Sequence, residues 1–308
     1  MVVYRGFAAY RSSGRATAVA VGNFDGVHLG HRKILDCLRS AAHEDGLRTL
    51  VLTFTPHPER VLGKKDVRMI DTLEQKLAKL RAARVEAAVV TEFDRGFASL
   101  GQREFLEDIL MRHLGAKEIV VGRNFRFGKN RSGGTIDLRR LGRVLGIGVH
   151  IISPVVRGGL VVSSSAIRRF LLHGKMEQAN RMLGRNYEVI GRVVPGQARG
   201  RRLGYPTLNI AAENEILPDG IFVTETVIRG REYPSVTSIG TNPTFGRNPL
   251  SVETHLLNQT GGFPAGEAAI RFHTRIRTTK AFPSAAALAA RIARDVEAAQ
   301  AFFALRKS

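Results

Sequence analysis

The sequence has a single cysteine, Cys37, and no tryptophan among its 308 residues. One cysteine cannot form a disulfide within the chain, which excludes a disulfide-stapled scaffold and fits a reducing compartment. No apolar run is long enough to cross a bilayer, and residues 1–15 lack the apolar segment and cleavage site of a signal peptide. We therefore expect a cytoplasmic protein without a membrane partner.

Acidic residues are scarce: 27 Asp and Glu stand against 47 Lys and Arg, which gives a formal charge of +20. Such an excess can attract nucleic acid or phosphorylated small molecules, or it can form solvated surface. The basic residues are spread through helix-like segments such as KLAKLRAARV and DLRRLGRVLG, and aromatic residues are only 7% of the chain. This distribution favours solvated faces, and we expect no nucleic-acid partner.

The secondary-structure pattern changes near residue 185. Before it, strand-like segments such as RTLVLTF, VEAAVVT and KEIVVG alternate with helix-like segments such as DTLEQKLAKLRAAR. This alternation predicts a Rossmann-like α/β domain, a parallel sheet covered by helices, over residues 1–185. After it, segments such as YEVIGRVV and GIFVTETVI predict an antiparallel barrel or sandwich over residues 186–308. A final amphipathic helix has apolar residues at helical spacing: Leu288, Ile292, Val296 and Phe303.

Two histidines stand where the first strand-like segment meets the first helix, in AVGNFDGVHLGHRKIL. His28 and His31 fall on one face of the incipient helix, where unpaired N–H groups and the helix dipole favour an anion. Gly22 and Gly30 let the backbone approach a ligand closely. Two imidazole donors there could stabilise charge on a phosphate oxygen.

Other roles for this histidine pair stay open on spacing alone. A histidine at a helix start is often a capping or packed residue. A His-x-x-His pair can also bind a metal, but the sequence offers no convincing third and fourth ligand, and Asp25 alone is weak support.

A second basic loop, GQARGRRLGYPTLN, contains Gly196, Gly200 and Gly204. Glycine-rich loops can wrap phosphates with backbone N–H groups. The spacing matches neither a Walker A loop nor a dinucleotide fingerprint, so an ordinary hairpin explains it equally well.

GNFDGVHLGH resembles the His-x-Gly-His signature of the nucleotidyltransferase superfamily, whose members transfer an adenylyl group from ATP and release pyrophosphate. VSSSAIRRFL resembles the Ser-Ser-Thr-x-x-Arg segment of the same enzymes, with Ser165 in place of threonine. GRRLGYPTLNI, PDGIFVTE, SIGTNPTFG and SVETHLL follow the order and spacing of the riboflavin kinase module. With TFTPHPERVL and VVGRNFRFGKNRSGG, nearly the whole chain resembles the bacterial bifunctional riboflavin kinase/FMN adenylyltransferases.

The resemblance implies an FMN adenylyltransferase domain at 1–185 and a riboflavin kinase domain at 186–308. Riboflavin, FMN and ATP are then the small-molecule partners, Mg²⁺ accompanies ATP, and FMN and FAD are substrate or product. In the kinase half, Thr207 and Asn209 would coordinate Mg²⁺ and ATP phosphates, and oxygen donors suit that cation. Glu253 would be the general base for the ribityl 5′-hydroxyl, although an outward strand glutamate is commonly just solvated.

In the adenylyltransferase half, His28, His31 and Arg168 would stabilise the reacting phosphates. An arginine offers a fixed charge and forked donors for the departing pyrophosphate. The segments expected to hold ATP and the flavin contain Gly22, Asn23, Asp25, Gly30, Phe54, His57, Pro58, Asn124, Phe125, Ser164 and Ser165. The Phe54 ring could stack on the flavin or belong to the core.

Two alternatives remain at this point. After SVETHLL the sequence runs Asn258-Gln259 and then GGFPAGE, where the family usually has Asp-Phe and a later Tyr-Gly pair. That departure favours, as a second hypothesis, an FMN adenylyltransferase with a weak or inactive kinase half. The charge motivates a third hypothesis, a nucleic-acid binder built on a nucleotidyltransferase fold, although no recognised nucleic-acid motif supports it.

Overall fold

The computed structural model describes residues 1–10, 14–63, 66–196, 200, 203–240, 250–259 and 265–306. The chain divides into two compact units, Met1–Ser163 and Ser164–Ser308. The two helices between residues 164 and 183 therefore group with the second unit. The predicted division of function at residue 185 stays a prediction.

The first unit is built on a six-stranded sheet in which every strand pair is parallel. The spatial order is β1-β4-β3-β2-β5-β6. The strands are β1 (Val2–Arg5), β2 (Thr17–Val21), β3 (Arg48–Thr55), β4 (Ala87–Glu92), β5 (Ala116–Gly122) and β6 (Gly148–Ile152). The predicted parallel sheet is confirmed, and the order reverses at β2, where ligands of such folds bind beyond the carboxyl ends of the strands.

Helices cover both faces of this sheet. They are α1 (Leu29–Glu44), α2 (Pro58–Val61), α3 (Leu73–Ala82), α4 (Arg95–Ala98), α5 (Gln102–Glu104), which continues as a π-helical stretch (Phe105–His113), and α6 (Thr135–Leu145). Short 3₁₀ turns occupy Phe7–Ala9 and Lys129–Arg131, and a small hairpin is formed by β7 (Val156–Arg157) and β8 (Leu160–Val161). A reciprocal capping box between Thr72 and Gln75 fixes the start of α3.

Successive residues of the central strand β2 enter different cores. Val19 and Val21 pack in one apolar cluster, while Ala18 and Ala20 pack in the other with Leu35 of α1. Because side chains alternate across a strand, this strand is buried on both faces. That double burial explains why TAVAV reads as a continuous apolar run.

The second unit contains a closed antiparallel barrel with the order β10-β13-β12-β11-β14-β9. The strands are β9 (Tyr187–Val194), β10 (Leu208–Ala212), β11 (Gly220–Ile228), β12 (Arg231–Gly240), β13 (Ser251–Leu256) and β14 (Glu267–Arg277). Because the sheet closes on itself, this part of the chain is a barrel and not a sandwich. The helices of this unit are α7 (Ser164–Leu172), α8 (Met176–Leu183) and α9 (Ala285–Ala304).

Five fully buried hydroxyls form a closed hydrogen-bonded ring between β11, β12 and β13. The hydrogen bonds link, in this order around the ring, Thr224, Ser235, Thr226, Thr254 and Thr237, with oxygen–oxygen distances of 2.7–3.2 Å. Each hydroxyl can donate to one neighbour and accept from the other, so none of the five is left unsatisfied. The ring joins three strands at one level of the barrel, next to Glu253 in sequence.

The predicted helix α9 packs on the outside of the barrel. All four predicted apolar residues are half-buried, and Val296 and Phe303 contact a cluster that includes Val223 and Val236. The helix also buries a carboxylate. Asp295 binds the guanidinium groups of two arginines, Arg277 on β14 and Arg291 on its own helix.

Candidate active sites

The loop between β2 and α1 has an unusual backbone. Gly26 has a φ of 80°, and two residues that carry side chains, Phe24 and Val27, also have positive φ values of 49° and 32°. Such conformations are costly for residues other than glycine and persist where surrounding contacts enforce them. The loop begins at Gly22, at the carboxyl end of the central strand.

The two histidines lie together at the start of α1. Nδ1 of His28 accepts a hydrogen bond from the backbone N–H of His31 at 3.2 Å, so His28 is the N-cap of the helix. In its neutral form His28 therefore carries its proton on Nε2. The two rings stack with centroids 3.7 Å apart, and Phe24 lies 5.1 Å from His31.

Gly30 lies against the first histidine. A Cβ at this position would stand 3.1 Å from Cε1 and 3.2 Å from Nδ1 of His28. The missing side chain therefore allows the imidazole to occupy its place at the helix terminus.

Asp25 has a structural task in this loop. Its carboxylate is buried and accepts backbone N–H groups of Ile70 and Asp71 at 3.0–3.3 Å. These bonds tie the loop to the segment that precedes α3. A contact of Asp25 with ATP stays a prediction.

A cavity of about 500 Å³ opens beside the loop, beyond the carboxyl ends of the parallel strands. Phe54 belongs to its wall and also packs on the apolar core, while stacking of its ring on the flavin stays a prediction. Phe54 lies 5.5 Å from Phe93 and from Phe97, which are other wall residues. The predicted residues in the wall are Gly22, Asn23, Phe54, Pro58, Asn124 and Phe125.

Polar and basic side chains share this wall, among them Arg95, Arg126 and Arg131. The Asn23 amide nitrogen is 3.0 Å from Nε2 of His57. His57 also caps α2 through the backbone N–H of Glu59. An aromatic cavity with a basic rim matches a flat, conjugated ligand that carries a negative charge.

Three predicted residues, Ser164, Ser165 and Arg168, lie on α7. This helix belongs to the second compact unit. Ser164 and Arg168 are four residues apart and thus share a helix face. Their part in the adenylyl site stays a prediction.

In the second unit, the barrel brings the predicted kinase residues together. Asn209 on β10 pairs directly with Glu253 on β13. Both side chains are half-buried on the outer face of the barrel, since the buried neighbours Leu208 and Thr254 point inward. A Cβ at Gly196 would collide with the Asn209 amide, so Gly196 lies directly against this side chain.

The turn before β10 closes on Gly200. Its carbonyl accepts N–H groups of Leu203 and Tyr205, and a Cβ on it would stand 3.1 Å from Oγ1 of Thr207. Gly204 has a φ of 84°, a conformation that glycine adopts without strain. Residues 197–199, 201–202 and 241–249, which include other parts of the predicted motifs, lie outside the described residues.

Sequence reasoning missed two residues beside these sites. His255 donates from Nδ1 to the carbonyl oxygen of Pro206 at 2.8 Å, and its ring meets Tyr205 edge-on at 5.6 Å. Its position two residues after Glu253 on one strand face was a usable signal. Lys76 is the second, a buried amine on α3 between the apolar positions Leu73 and Leu80.

Ser251 precedes Glu253 on the same face of β13. Its Oγ lies 3.2 Å from a carboxylate oxygen of Glu253 and 3.3 Å from the Gly240 carbonyl. At the other end of β13, Asn258 adopts a φ of 61°, which asparagine tolerates better than most residues. Residues 260–264 of the departing segment lie outside the described residues.

Neither a membrane-spanning helix nor a cluster of metal ligands occurs among the described residues. None of their helices is long and apolar enough to span a membrane. They contain no group of three or more His, Cys, Asp or Glu side chains that could hold a metal ion.

Comparison with known families gives two matches along the chain. The FAD synthetase family matches residues 11–166, and the riboflavin kinase family matches residues 183–303. The chain is 34% identical over 292 residues to the bifunctional riboflavin kinase/FMN adenylyltransferase of Escherichia coli (strain K12), covering 94% of this chain and 93% of that protein. This chain belongs to the bifunctional riboflavin kinase/FMN adenylyltransferase family. The enzyme phosphorylates riboflavin to FMN and adenylylates FMN to FAD.

Further relatives match most of the length of this chain. The bifunctional protein of Pseudomonas fluorescens is 33% identical, covering 99% of this chain and 98% of its own. A crystal structure from Streptococcus pneumoniae, described as a macrolide-efflux protein, superposes with a TM-score of 0.87 at 27% identity. It covers 97% of this chain and 99% of its own.

Proposed function

We propose that residues 1–185 catalyse adenylyl transfer to FMN and residues 186–308 catalyse phosphorylation of riboflavin. In the first reaction, an oxygen of the FMN phosphate attacks the α-phosphorus of ATP, the bond to the pyrophosphate oxygen breaks, and FAD and pyrophosphate leave. The nucleophile is already anionic, so this step needs no strong base. Positioning and charge stabilisation supply the catalysis.

The residues predicted for this reaction divide the work. His28 presents Nε2–H at the helix terminus, and with His31 it would stabilise the charge that builds on the phosphates. Arg168, Ser164 and Ser165 would hold the departing pyrophosphate. The aromatic cavity would take the flavin ring, between Phe54 and Phe125.

In the second reaction, the ribityl 5′-hydroxyl attacks the γ-phosphorus of ATP, and FMN and ADP form. A neutral alcohol must lose its proton, which is the task of a carboxylate base, Glu253. Thr207 and Asn209 would hold Mg²⁺ together with the ATP phosphates, since their oxygens suit a hard cation. The cradle at Gly196, which a Cβ would fill, leaves room at the Asn209 amide. Mg²⁺ when bound neutralises phosphate charge.

One observation carries the assignment of the kinase half. Asn209 and Glu253 are direct partners across two barrel strands, although 44 positions separate them in the chain. The strand register puts the predicted base and a predicted Mg²⁺ ligand side by side on the outer face of the barrel, next to Gly196. The juxtaposition therefore favours an intact kinase site over the adenylyltransferase-only alternative.

A time course with the wild-type enzyme tests the function. Riboflavin, ATP and Mg²⁺ are incubated with the protein, and the flavins are separated by chromatography. We expect FMN to appear first and FAD to follow. If riboflavin stays unchanged while supplied FMN becomes FAD, the kinase half is inactive. If neither reaction occurs, both assignments fail, and salt-dependent RNA binding becomes the next assay.

A further inference from the structure

Lys76 places a charged amine inside the first unit. The residue lies on α3 and is only 9% exposed. Its Nζ donates to Oγ1 of Thr53 at 3.2 Å, to the carbonyl of Asn23 at 3.3 Å and to that of Phe54 at 3.5 Å. An ammonium has three N–H donors, and each of them finds an oxygen here.

The carbonyl of Asn23 is held from two sides. Besides Lys76, the hydroxyl of Thr53 donates to it at 3.1 Å. Because a peptide unit is planar, fixing this carbonyl also fixes the direction of the following N–H, that of Phe24. Phe24 is the first residue of the loop with a positive φ.

Buried carboxylates balance the charge of Lys76. Asp25 comes from the loop and Asp71 from the segment before α3, and Lys79 in turn pairs with Asp71. Burial lowers the pKa of Lys76, while Asp25 and Asp71 act in the opposite direction. The amine therefore retains compensating partners in a place where an isolated charge would be costly.

An apolar side chain would fill this position of α3 without the cost of burying a charge. The amine donates hydrogen bonds to the main-chain carbonyls of Asn23 and Phe54, which an apolar side chain cannot do. Both residues belong to the wall of the 500 Å³ cavity. A loop with positive φ at Phe24 and Val27 needs external contacts of this kind to stay in place.

We propose that Lys76 is a positioning residue for adenylyl transfer. It fixes the β2–α1 loop relative to the end of β3, at the wall of the cavity where the substrates would react. The proposal rests on the assignment of this cavity and loop to the FMN adenylyltransferase reaction. Lys76 touches neither substrate in this account and acts through Asn23 and Phe54.

The test replaces Lys76 by methionine, which keeps the length and the apolar stem but removes the donors. We expect the kcat for FMN-to-FAD conversion to fall about 10- to 100-fold, because small misplacements of reacting groups slow the chemical step. KM for FMN and for ATP should change by less than about threefold, since most binding contacts remain. Arg81→Met, which removes an exposed cation from the same helix, is the matched control and should retain kcat within about twofold.

The kinase reaction in the same molecule is an internal standard. Riboflavin-to-FMN conversion should stay at the wild-type rate in Lys76→Met. Partial unfolding of the first unit would also lower the adenylyl rate, but cooling would then restore it. A positioning defect keeps the same ratio to wild type at every temperature below the unfolding transition.

Thr53→Val gives a second route if Lys76→Met does not fold. It removes the hydroxyl between the amine and the Asn23 carbonyl, and we expect a smaller loss of the same kcat. Where both variants fold, the double variant should lose less than the product of the two single effects, because both act on one carbonyl. Wild-type kcat in Lys76→Met and Thr53→Val would overturn the proposal, as would restoration by cooling. Wild-type protein that makes no FAD from FMN would instead refute the site assignment.

Discussion

His28 has a structural contact at the start of α1 and, in the proposal above, a chemical role as well. Its Nδ1 caps the helix by accepting the N–H of His31, and this contact leaves Nε2–H as a donor. The observed capping role and the proposed catalytic role therefore use different atoms of one ring. A substitution that keeps one and removes the other separates them.

His28→Asn makes that separation. Asparagine is a good N-cap, so its side-chain oxygen can accept the same N–H, whereas His28→Ala should cost about 1 kcal/mol of stability. We expect the asparagine variant to keep the wild-type melting temperature and to lose FMN-to-FAD activity by about 10²- to 10³-fold. Thermal unfolding and a flavin assay check both halves of this prediction. Normal FAD output from it, and from the His28→Ala/His31→Ala double variant, would leave the histidines as structural residues only.

Glu253→Gln tests the general base. The amide keeps the size of the side chain and its contact with Ser251 but cannot take a proton. Riboflavin-to-FMN conversion should fall by about 10²- to 10⁴-fold, and FMN-to-FAD conversion should be unchanged. Loss of both activities in a folded variant would contradict the assignment of this residue to one reaction.

His255 should matter through the carbonyl that it holds. His255→Leu removes the donor to Pro206, next to Thr207, and we expect the kcat/KM of the kinase for MgATP to fall about tenfold. In His255→Asn the amide nitrogen can take the place of Nδ1, so about a third or more of the activity should remain. Steady-state kinetics on both variants decide the matter. Equal losses in the two would show that the imidazole serves another purpose.

At the scale of elements, the sequence predicts most of the fold because its strongest signals are local. The apolar runs of β2 and β3 and the periodicity of α3 are visible in short windows, and the structure confirms them. The shift to β-like segments after residue 185 also predicts the all-β character of the barrel.

Elements that depend on distant partners escaped the prediction. β10 follows a glycine- and arginine-rich turn and exists because β9 and β13 flank it. The choice of a barrel over a sandwich depends on the same pairing. The burial of Lys76 and Asp295 was not predicted either, because a charged residue on an apolar helix face is buried only when the fold supplies its partners. The sequence pattern does not show those partners.

The junction of β14 with α9 should respond to acid. Burial and the nearby guanidinium groups of Arg306 and Arg271 lower the pKa of His273 to about 4. Its Nδ1 accepts from Asn186 and lies 3.0 Å from a guanidinium nitrogen of Arg306. Since the folded pKa lies below the unfolded value of about 6.5, the unfolded state binds the proton first. The contribution of neutral His273 to the stability of the folded state is present above pH 6.5 and is lost as the pH falls towards 4.

His273→Asn removes this titration and puts an oxygen acceptor at the place of Nδ1. We expect the melting temperature of the wild type to fall more steeply than that of the variant between pH 7 and pH 5. The slope from one such histidine is at most about 1.4 kcal/mol per pH unit. Thermal unfolding at several pH values measures the difference. Parallel curves for the two proteins would show that His273 does not couple to folding in this range.

At the scale of the whole molecule, two reactions share one chain and one intermediate, FMN. The riboflavin kinase and FAD synthetase families match separate parts of the sequence, and the structure forms two compact units. The charge of +20 suits an enzyme whose substrates ATP and FMN are both anionic. We propose that the two reactions occur at two independent sites.

Mixing two inactivated variants tests that claim most directly. Glu253→Gln and the His28→Ala/His31→Ala double variant are each incubated with riboflavin, ATP and Mg²⁺, and then they are combined. We predict that the first alone leaves riboflavin unchanged, that the second alone stops at FMN, and that the mixture produces FAD through free FMN. Absence of both activities in either variant, or no FAD from the mixture although each variant keeps its remaining activity, would contradict two independent sites.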